Sequence, residues 1–315
     1  MILRRVGYGI NHLKSDAVVR IPDQLAENVP YWFGDRGREW LAQLPQIVAR
    51  CERRWEIAVG PVFDEGGAVS WVAPASRRGG SEAVLKLFIP DLENRHEALA
   101  LLHYDGRGAV RLLDHDEGVL LLERARPGTS LWEVDDEDEA NRVVAGLLAI
   151  LWRPAPVGSP HRTLERVAAE WVEEIPATWE ALGGPFERSL LDRAVAALRE
   201  LGPDQGEQVL LHQDLHGGNV LRAEREGWLA IDPKPLIGER EFDLASLLRD
   251  RRDSLAADAR AGSRVRRRLD LLASETGLDR ERLRGWGIAH ALAWGMDRNE
   301  ADDEMVACAR WLAEA

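Results

Sequence analysis

The chain has 315 residues, of which 45% are hydrophobic and 30% are charged, a composition typical of globular proteins that bury a sizeable core. Its formal net charge of −13 disfavours nucleic acid as a partner, because phosphate recognition needs a basic surface. The longest apolar run, residues 143–152, is too short to span a bilayer, so no membrane partner is predicted. The cysteines belong to no motif and residues 1–10 lack a signal-peptide core, which together predict reduced thiols and a cytoplasmic location.

Residues 1–54 are predicted to be largely helical. Pro22 and Asp35 are typical of helix starts, and apolar side chains after Asp35 recur at the spacing of one helical face. These apolar positions are Trp40, Leu41, Leu44, Ile47 and Val48. We assign this segment no chemistry.

From Trp55 the pattern changes to that of strands, at residues 57–63 and 68–73. Between them, Asp64-Glu65-Gly66-Gly67 predicts a turn whose glycines allow backbone N–H groups to approach a polyphosphate. We therefore expect Gly66 and Gly67 to contact a nucleotide, although an ordinary hairpin turn has the same composition. The sequence G-x-G-x-x-G of protein kinases is absent, so this expectation depends on position alone.

Residues 83–89 are predicted to form a strand with Lys86 in its middle. Lysine is unfavourable inside a strand unless it is paired, and in protein kinases a strand lysine contacts the α- and β-phosphates of ATP. Pro90-Asp91 predicts the start of a helix containing Glu97, the natural ion-pair partner for Lys86. A solvent-facing edge-strand lysine, which is common, is the alternative for Lys86. A solvated helical glutamate is the alternative for Glu97, and it would be preferred if Glu97 stood alone.

A further hairpin is predicted from residues 109–113 and 119–123, and the chain then continues as Glu123-Arg124-Ala125-Arg126-Pro127-Gly128. We expect this exit to be the hinge between two lobes, with backbone groups around Glu123 and Ala125 binding the adenine. The boundary is placed at Arg124, which gives a nucleotide-binding lobe of residues 1–124 and a helical, catalytic lobe of residues 125–315.

Residues 209–232 hold the most informative pattern. Two apolar runs, residues 209–211 and 228–231, predict buried strands, with Asp214 and Asn219 between them and Asp232 directly after the second. Phosphoryl transfer from Mg-ATP needs one carboxylate to accept the proton of a hydroxyl, and hard oxygen ligands for the metal. The spacing matches H-R-D-x-x-x-x-N and D-F-G of protein kinases, which predicts Asp214 as the base and Asn219 and Asp232 as Mg²⁺ ligands.

Two other interpretations of this segment remain open. His, Asp and Asn also satisfy the backbone of ordinary surface turns. His212, Asp214 and His216 alternate at strand spacing, so they could instead hold the metal of a hydrolase. The hydrolase interpretation gives Lys86 no role.

Several segments resemble one known family, the aminoglycoside and hydroxyurea resistance kinases, among them streptomycin 6-phosphotransferases. They are AVLK around Lys86, LLLERARPG, HQDLHGGNV and IDPKPLIGEREFDLA. The resemblance implies an α+β, two-lobed protein-kinase-like fold, with a five-stranded antiparallel sheet in the small lobe and a mainly helical large lobe. It implies the same roles for Asp214, Asn219, Asp232, Lys86 and Glu97. One departure is Gln213, where relatives usually carry glycine and where a side chain could narrow the acceptor pocket.

The combined prediction is an ATP- and Mg²⁺-dependent kinase that phosphorylates a hydroxyl of a small cationic molecule, best matched by an aminoglycoside of the streptomycin type. The alternatives are a kinase of the same fold for a sugar, amino sugar or other alcohol, and a nucleotide-binding pseudokinase. The intact set of Lys86, Asp214, Asn219 and Asp232 argues against the pseudokinase. Oligomeric state is left open. Acidic residues expected to line the acceptor pocket, as a set, are Glu133, Asp135, Asp136, Glu239, Glu241, Asp297, Glu300 and Asp302.

Overall fold

A computed structural model describes residues 19–64 and 67–315. The chain divides into two compact units, residues 1–89 and residues 90–315. The predicted boundary at Arg124 concerns a hinge between lobes and stays a prediction. No helix in the described part of the chain is long and apolar enough to cross a membrane.

One long helix and a small antiparallel sheet make up the described part of the first unit. Helix α1 (Asp23–Trp55) is interrupted at Gly34, whose φ of 57° and ψ of −132° are incompatible with a helix and favour glycine. The helix begins after Pro22 and resumes at Asp35, as the two start signals predict. Its buried face includes Leu25, Val29, Leu44, Val48 and Cys51.

Three strands follow in the order β1-β2-β3: β1 (Ile57–Val59), β2 (Ser70–Arg77) and β3 (Glu82–Phe88). Trp71, Ala73 and Ala75 of β2 are buried, at the alternate positions that a sheet facing a core requires. Strand β1 ends earlier than predicted because Pro61, which has no N–H, interrupts the ladder.

The second unit begins with a turn and not with the predicted helix start. One carboxylate oxygen of Asp91 accepts hydrogen bonds from the N–H groups of Glu93 (2.8 Å) and Asn94 (2.9 Å), which closes a turn. Helix α2 (Glu97–Tyr104) begins only after it. Strands β4 (Leu112–Asp116) and β5 (Val119–Glu123) then pair antiparallel. The five strands implied by the resemblance are therefore present, three in the first unit and two in the second.

The rest of the second unit is mainly helical. Its helices are α3 (Glu137–Leu151), α4 (Leu164–Ala181), α5 (Arg188–Leu201), α6 (Arg240–Asp243), α7 (Ala245–Leu248), α8 (Arg252–Ala256), α9 (Ala261–Thr276), α10 (Arg280–Trp294) and α11 (Asp303–Glu314). Four of the longer helices begin at a side chain that accepts a backbone N–H, the arrangement that satisfies unpaired donors at a helix start. These caps are Asp136, Thr163, Asp279 and Asp302.

Short strands hold the predicted catalytic segment between these helices. They are β6 (Pro127–Ser130), β7 (Arg162–Thr163), β8 (Gln208–Leu211), β9 (Val220–Ala223), β10 (Gly227–Ala230) and β11 (Leu236–Glu239). They form two three-stranded sheets, in the orders β10-β9-β6 and β7-β11-β8. The predicted buried strands β8 and β10 therefore lie in different sheets. Strand β11 was not predicted from the sequence, because the Pro and Gly residues around it obscure a strand of only four residues.

Both cysteines, Cys51 and Cys308, are free and buried. Burial raises the pKa of the Cys308 thiol to about 11, so this thiol stays protonated. The predicted reduced thiols are confirmed, and the cytoplasmic location stays a prediction.

Candidate active site

Asp214 is the centre of the site. It follows β8, is only 6% exposed, and receives hydrogen bonds from Lys234 Nζ to Oδ2 (2.7 Å) and from an Arg249 Nη atom to Oδ1 (3.0 Å). Burial alone would raise the pKa of this carboxyl, but the charges of Lys234 and Arg249 outweigh burial and hold it well below its usual range. Asp214 is therefore ionised and can accept a hydrogen bond from an acceptor hydroxyl.

Asn219 is bound to the backbone of the same loop. It ends a 3₁₀ helix (Gly217–Asn219), and its amide nitrogen Nδ2 donates to the Asp214 carbonyl at 2.9 Å. Since the amide nitrogen is used in this way, the amide oxygen is the atom left to bind a hard cation. The predicted metal ligand is thus held within the catalytic loop.

Asp232 is brought to this loop by β10. The N–H of Ile231 donates to the Asn219 carbonyl at 2.9 Å, which ties the end of the strand to the loop. Asp232 then takes a left-handed conformation, with φ 58°, and its charge is close enough to raise the pKa of Lys234. Asp232 and Asn219 offer the oxygen ligands that suit Mg²⁺. Their metal-binding roles stay predictions.

Two cations of the site, Lys234 and Arg249, were not singled out from the sequence. Lys234 is half-buried, and burial alone would lower its pKa, but Asp214, Asp232 and Glu93 outweigh burial and raise it. Arg249, after α7, is 7% exposed. Each cation lies 4.9 Å from the ring centroid of Trp294, in cation–π geometry. Trp294 thus packs against the two cations that bind Asp214.

Asp243 fixes the shape of the catalytic loop. Its carboxylate accepts hydrogen bonds from the N–H groups of His212 (3.1 Å) and Gln213 (2.5 Å) and from the indole of Trp152 (3.0 Å). Asp243 is fully buried, and burial raises its pKa to about 6 although these three donors oppose the shift.

The two loop histidines serve the fold of the loop. His212 is fully buried, its Nε2 lies 2.9 Å from the Ile231 carbonyl, and burial lowers its pKa to about 4. His216 Nδ1 accepts from the Gly218 N–H at 3.1 Å, and its ring stacks on Trp132 at 5.1 Å. These partners assign both imidazoles to the structure of the loop. His216 Nε2 also lies 4.0 Å from Asp214 Oδ1.

Comparison with known proteins settles the family. Residues 54–300 match the family described as aminoglycoside/hydroxyurea antibiotic resistance kinase. The chain belongs to this family. It is 44% identical over 283 residues to a streptomycin 6-kinase of Streptomyces griseus, covering 89% of this chain and 91% of that protein. It is also 44% identical over 296 residues to a hydroxyurea phosphotransferase of Kitasatospora aureofaciens, covering 92% of this chain and 81% of that protein.

Solved structures confirm the predicted fold. Aminoglycoside phosphotransferase APH(4)-Ia in a complex with ADP and hygromycin B has a TM-score of 0.53 at 18% identity, covering 84% of this chain and 97% of that one. Choline kinase LicA of Streptococcus pneumoniae has a TM-score of 0.57 at 15% identity, covering 87% and 100%. At these identities the likeness shows the fold alone.

In this kinase Gln213 has a conformation that glycine adopts more easily. Its φ is 69°, a region that costs a residue with a side chain about 1–2 kcal/mol. Its N–H is held by Asp243, and its side chain is buried. The glycine that the resemblance implies at this position would fit this backbone, whereas the influence of Gln213 on the acceptor stays a prediction.

The predicted nucleotide residues Lys86 and Glu97 are both buried. Lys86 lies in β3 at 6% exposure, with Nζ 5.5 Å from the Phe88 ring centroid, and Glu97 opens α2 with no exposed surface. The solvent-facing alternatives for these residues are therefore wrong. Their pairing and their contact with phosphates stay predictions.

The remaining predicted nucleotide contacts are less defined. Gly66 lies outside the described residues, and the carbonyl of Gly67 accepts from the Ser70 N–H at 3.3 Å. The carboxylate of Glu123 binds Arg225 at 2.9 and 3.0 Å. The adenine roles of Glu123 and Ala125, and the phosphate role of both glycines, stay predictions.

Several members of the predicted acidic set have structural roles. Glu239 is 1% exposed, pairs with Arg282 at 2.7 Å and accepts a hydrogen bond from the indole of Trp286. Asp136 and Asp302 cap α3 and α11. Asp297 accepts from the N–H groups of Asn299 and Glu300, which closes a turn. The expected acceptor contacts of the other members stay predictions.

Proposed function

We propose that this kinase transfers the γ-phosphoryl group of ATP, with Mg²⁺, to a hydroxyl of a streptomycin-type aminoglycoside. The observation that carries the proposal is the Asp214 carboxylate, which is buried, ionised and bound by two cations. Beside it, the amide of Asn219 donates a hydrogen bond to the backbone carbonyl of Asp214. An ionised carboxylate beside hard oxygen ligands is what phosphoryl transfer to an alcohol requires.

In this proposal Asp214 accepts a hydrogen bond from the acceptor hydroxyl and orients its oxygen toward the γ-phosphorus. The new O–P bond forms as the bond from phosphorus to the ADP oxygen breaks, and the hydroxyl proton leaves to Asp214. The low pKa of Asp214 makes it a weak base in the ground state, so orientation of the hydroxyl is its main contribution until the oxygen becomes acidic. Mg²⁺, held by Asn219 and Asp232, would neutralise phosphate charge.

The acceptor is argued from relatives and charge. Streptomycin 6-kinases of two Streptomyces species are 43–44% identical over 91% of their length, and streptomycin is polycationic. A net charge of −13 attracts such an acceptor over about one Debye length, about 10 Å at 0.1 M salt. Hydroxyurea is the second candidate acceptor, since a hydroxyurea phosphotransferase is also 44% identical to this chain, over 296 residues.

ADP release in the presence of streptomycin, hydroxyurea, glucose, glucosamine and choline tests this proposal. We expect streptomycin to have the highest kcat/KM, and that value to fall as ionic strength rises because salt screens the attraction. Hydrolysis of ATP without acceptor is the control, and it should depend less on salt. A neutral acceptor as the best substrate, with no salt dependence, would contradict the streptomycin assignment and leave the kinase assignment in place.

A further inference from the structure

Lys234 is bound to the predicted base and follows the predicted metal ligand Asp232 by two residues. Its Nζ donates to Asp214 Oδ2 at 2.7 Å, and the carboxylates whose charges act on it most strongly are Asp214, Asp232 and Glu93. An ammonium group has three donors, and Asp214 takes one of them. The ammonium group therefore keeps donors that Asp214 does not use, and the charge of Asp232 also acts on it.

The composition of the chain singles out this residue. Lysine occurs at three positions, Lys14, Lys86 and Lys234, and arginine fills the other 38 basic positions. The two lysines in the described part of the chain are Lys86, a predicted nucleotide residue, and Lys234, which binds Asp214. Arginine is clearly compatible with the same carboxylate, since Arg249 binds Asp214 Oδ1. A lysine beside it therefore indicates a need for a compact ammonium group and not for the broad, planar guanidinium.

The two cations on Asp214 differ in their surroundings. Arg249 is 7% exposed and also lies 3.4 Å from His290 Nδ1, so its contacts face the protein interior. The Lys234 side chain is 23% exposed, and the charges of Asp232 and Glu93 contribute to raising its pKa. Arg249 is thus placed to hold Asp214, and Lys234 is placed to reach a bound substrate.

We propose that Lys234 is a catalytic residue that donates a hydrogen bond to an oxygen of the phosphoryl group during its transfer to the acceptor. This inference rests on the proposed kinase function. A hydroxyl held by Asp214 must face phosphorus, and phosphorus must lie on the side of the metal ligands, so the transferred group passes beside Lys234. Its charge stabilises the negative phosphoryl oxygens, and no bond to Lys234 forms or breaks.

The test compares binding of Mg-ADP with binding of Mg-ADP plus aluminium fluoride, a mimic of the transferred group, by calorimetry. We expect Lys234→Met to bind Mg-ADP within about threefold of wild type, but to bind the aluminium fluoride complex about 100-fold or more weakly, with a matching loss of kcat. Lys234→Arg should recover part of both losses. An equal effect of Lys234→Met on both complexes, or no effect on either, would overturn the proposal.

A second comparison separates direct contact from an effect through Asp214. In an Asp214→Asn background, the added Lys234→Met change should still weaken the aluminium fluoride complex. No further weakening would mean that Lys234 only orients Asp214, and would also overturn the proposal. Melting temperatures of all variants control for folding. If wild type phosphorylates no acceptor with ATP, the proposed function itself fails, a result distinct from an active wild type with an unaffected Lys234→Met variant.

Discussion

Two buried carboxylates of the catalytic segment, Asp214 and Asp243, have opposite electrostatic environments. Asp214 is bound by two cations, which hold its pKa well below its usual range against the effect of burial. Asp243 accepts hydrogen bonds from neutral donors only, and burial raises its pKa to about 6. Cationic partners keep a buried carboxylate ionised and available for chemistry. A buried carboxylate that accepts hydrogen bonds from neutral donors instead holds the backbone in place. The site thus separates the residue that reacts from the residue that shapes the loop.

The largest expected effect comes from Asp214→Asn. Loss of the carboxylate should lower kcat about 10²- to 10⁴-fold, because the acceptor hydroxyl loses the group that orients it and receives its proton. The Kd for Mg-ATP should stay close to that of wild type, since the predicted nucleotide residues are untouched. A kcat within tenfold of wild type would remove Asp214 from its assigned role.

The matched change at the other carboxylate is Asp243→Asn. The new amide N–H would face one of three buried donors, so we expect the free energy of unfolding to fall by about 1–3 kcal/mol, with a smaller loss of kcat than in Asp214→Asn. Urea denaturation followed by circular dichroism measures the first quantity. An Asp243→Asn variant that kept full stability but lost as much turnover as Asp214→Asn would erase the distinction between them.

The pH dependence of stability sharpens the same comparison. The folded-state pKa of Asp243, about 6, lies above its ordinary value of 3.8, so its contribution to stability is present below 3.8 and is lost as pH rises through 6. The contribution of Asp214 to stability changes with pH in the opposite direction. Because its pKa is lowered, that contribution is present above 3.8 and is lost as pH falls below 3.8. Between pH 4 and 7 the stability of wild type should therefore fall relative to that of Asp243→Asn. If the free energies of unfolding of the two proteins changed with pH in parallel, the raised pKa of Asp243 would be contradicted.

Asn219→Ala and Asp232→Ala extend the comparison to the predicted metal ligands. Each change should raise the Mg²⁺ concentration needed for half-maximal turnover by about tenfold or more, because each removes a metal-binding oxygen. Titration of Mg²⁺ at saturating ATP measures this. Unchanged titrations in both variants would argue against the metal roles.

The smallest effect is expected for the predicted pair Lys86 and Glu97. Lys86→Met should raise the KM for ATP and lower kcat, and Glu97→Gln should do the same more weakly, because Glu97 only orients Lys86. The double variant should be little worse than Lys86→Met alone, a coupling of about 0.5 kcal/mol or more. Fully additive losses would show that the two residues act separately.

The residues that sequence reasoning found and missed differ in how the chain brings them together. Asp214, Asn219 and Asp232 were found because the first two share one loop and the third directly follows a strand. Lys234 and Arg249 were missed because their role depends on the short strand β11 and the helix α7 folding back onto Asp214. The start of α2 was misplaced because Asp91 caps a turn as readily as a helix. The two-lobed fold class was predicted from the resemblance of the sequence motifs to the resistance kinase family, not from the order of strands and helices alone.

The most direct test of the central claim follows the phosphoryl group itself. Wild type and Asp214→Asn are incubated with γ-labelled ATP, Mg²⁺ and streptomycin, and the labelled products are separated. We expect wild type to label streptomycin in amounts equal to the ADP formed, and Asp214→Asn to label it about 10²- to 10⁴-fold more slowly. Label released only as inorganic phosphate across the full acceptor panel, or equal labelling rates in the two proteins, would contradict the central claim.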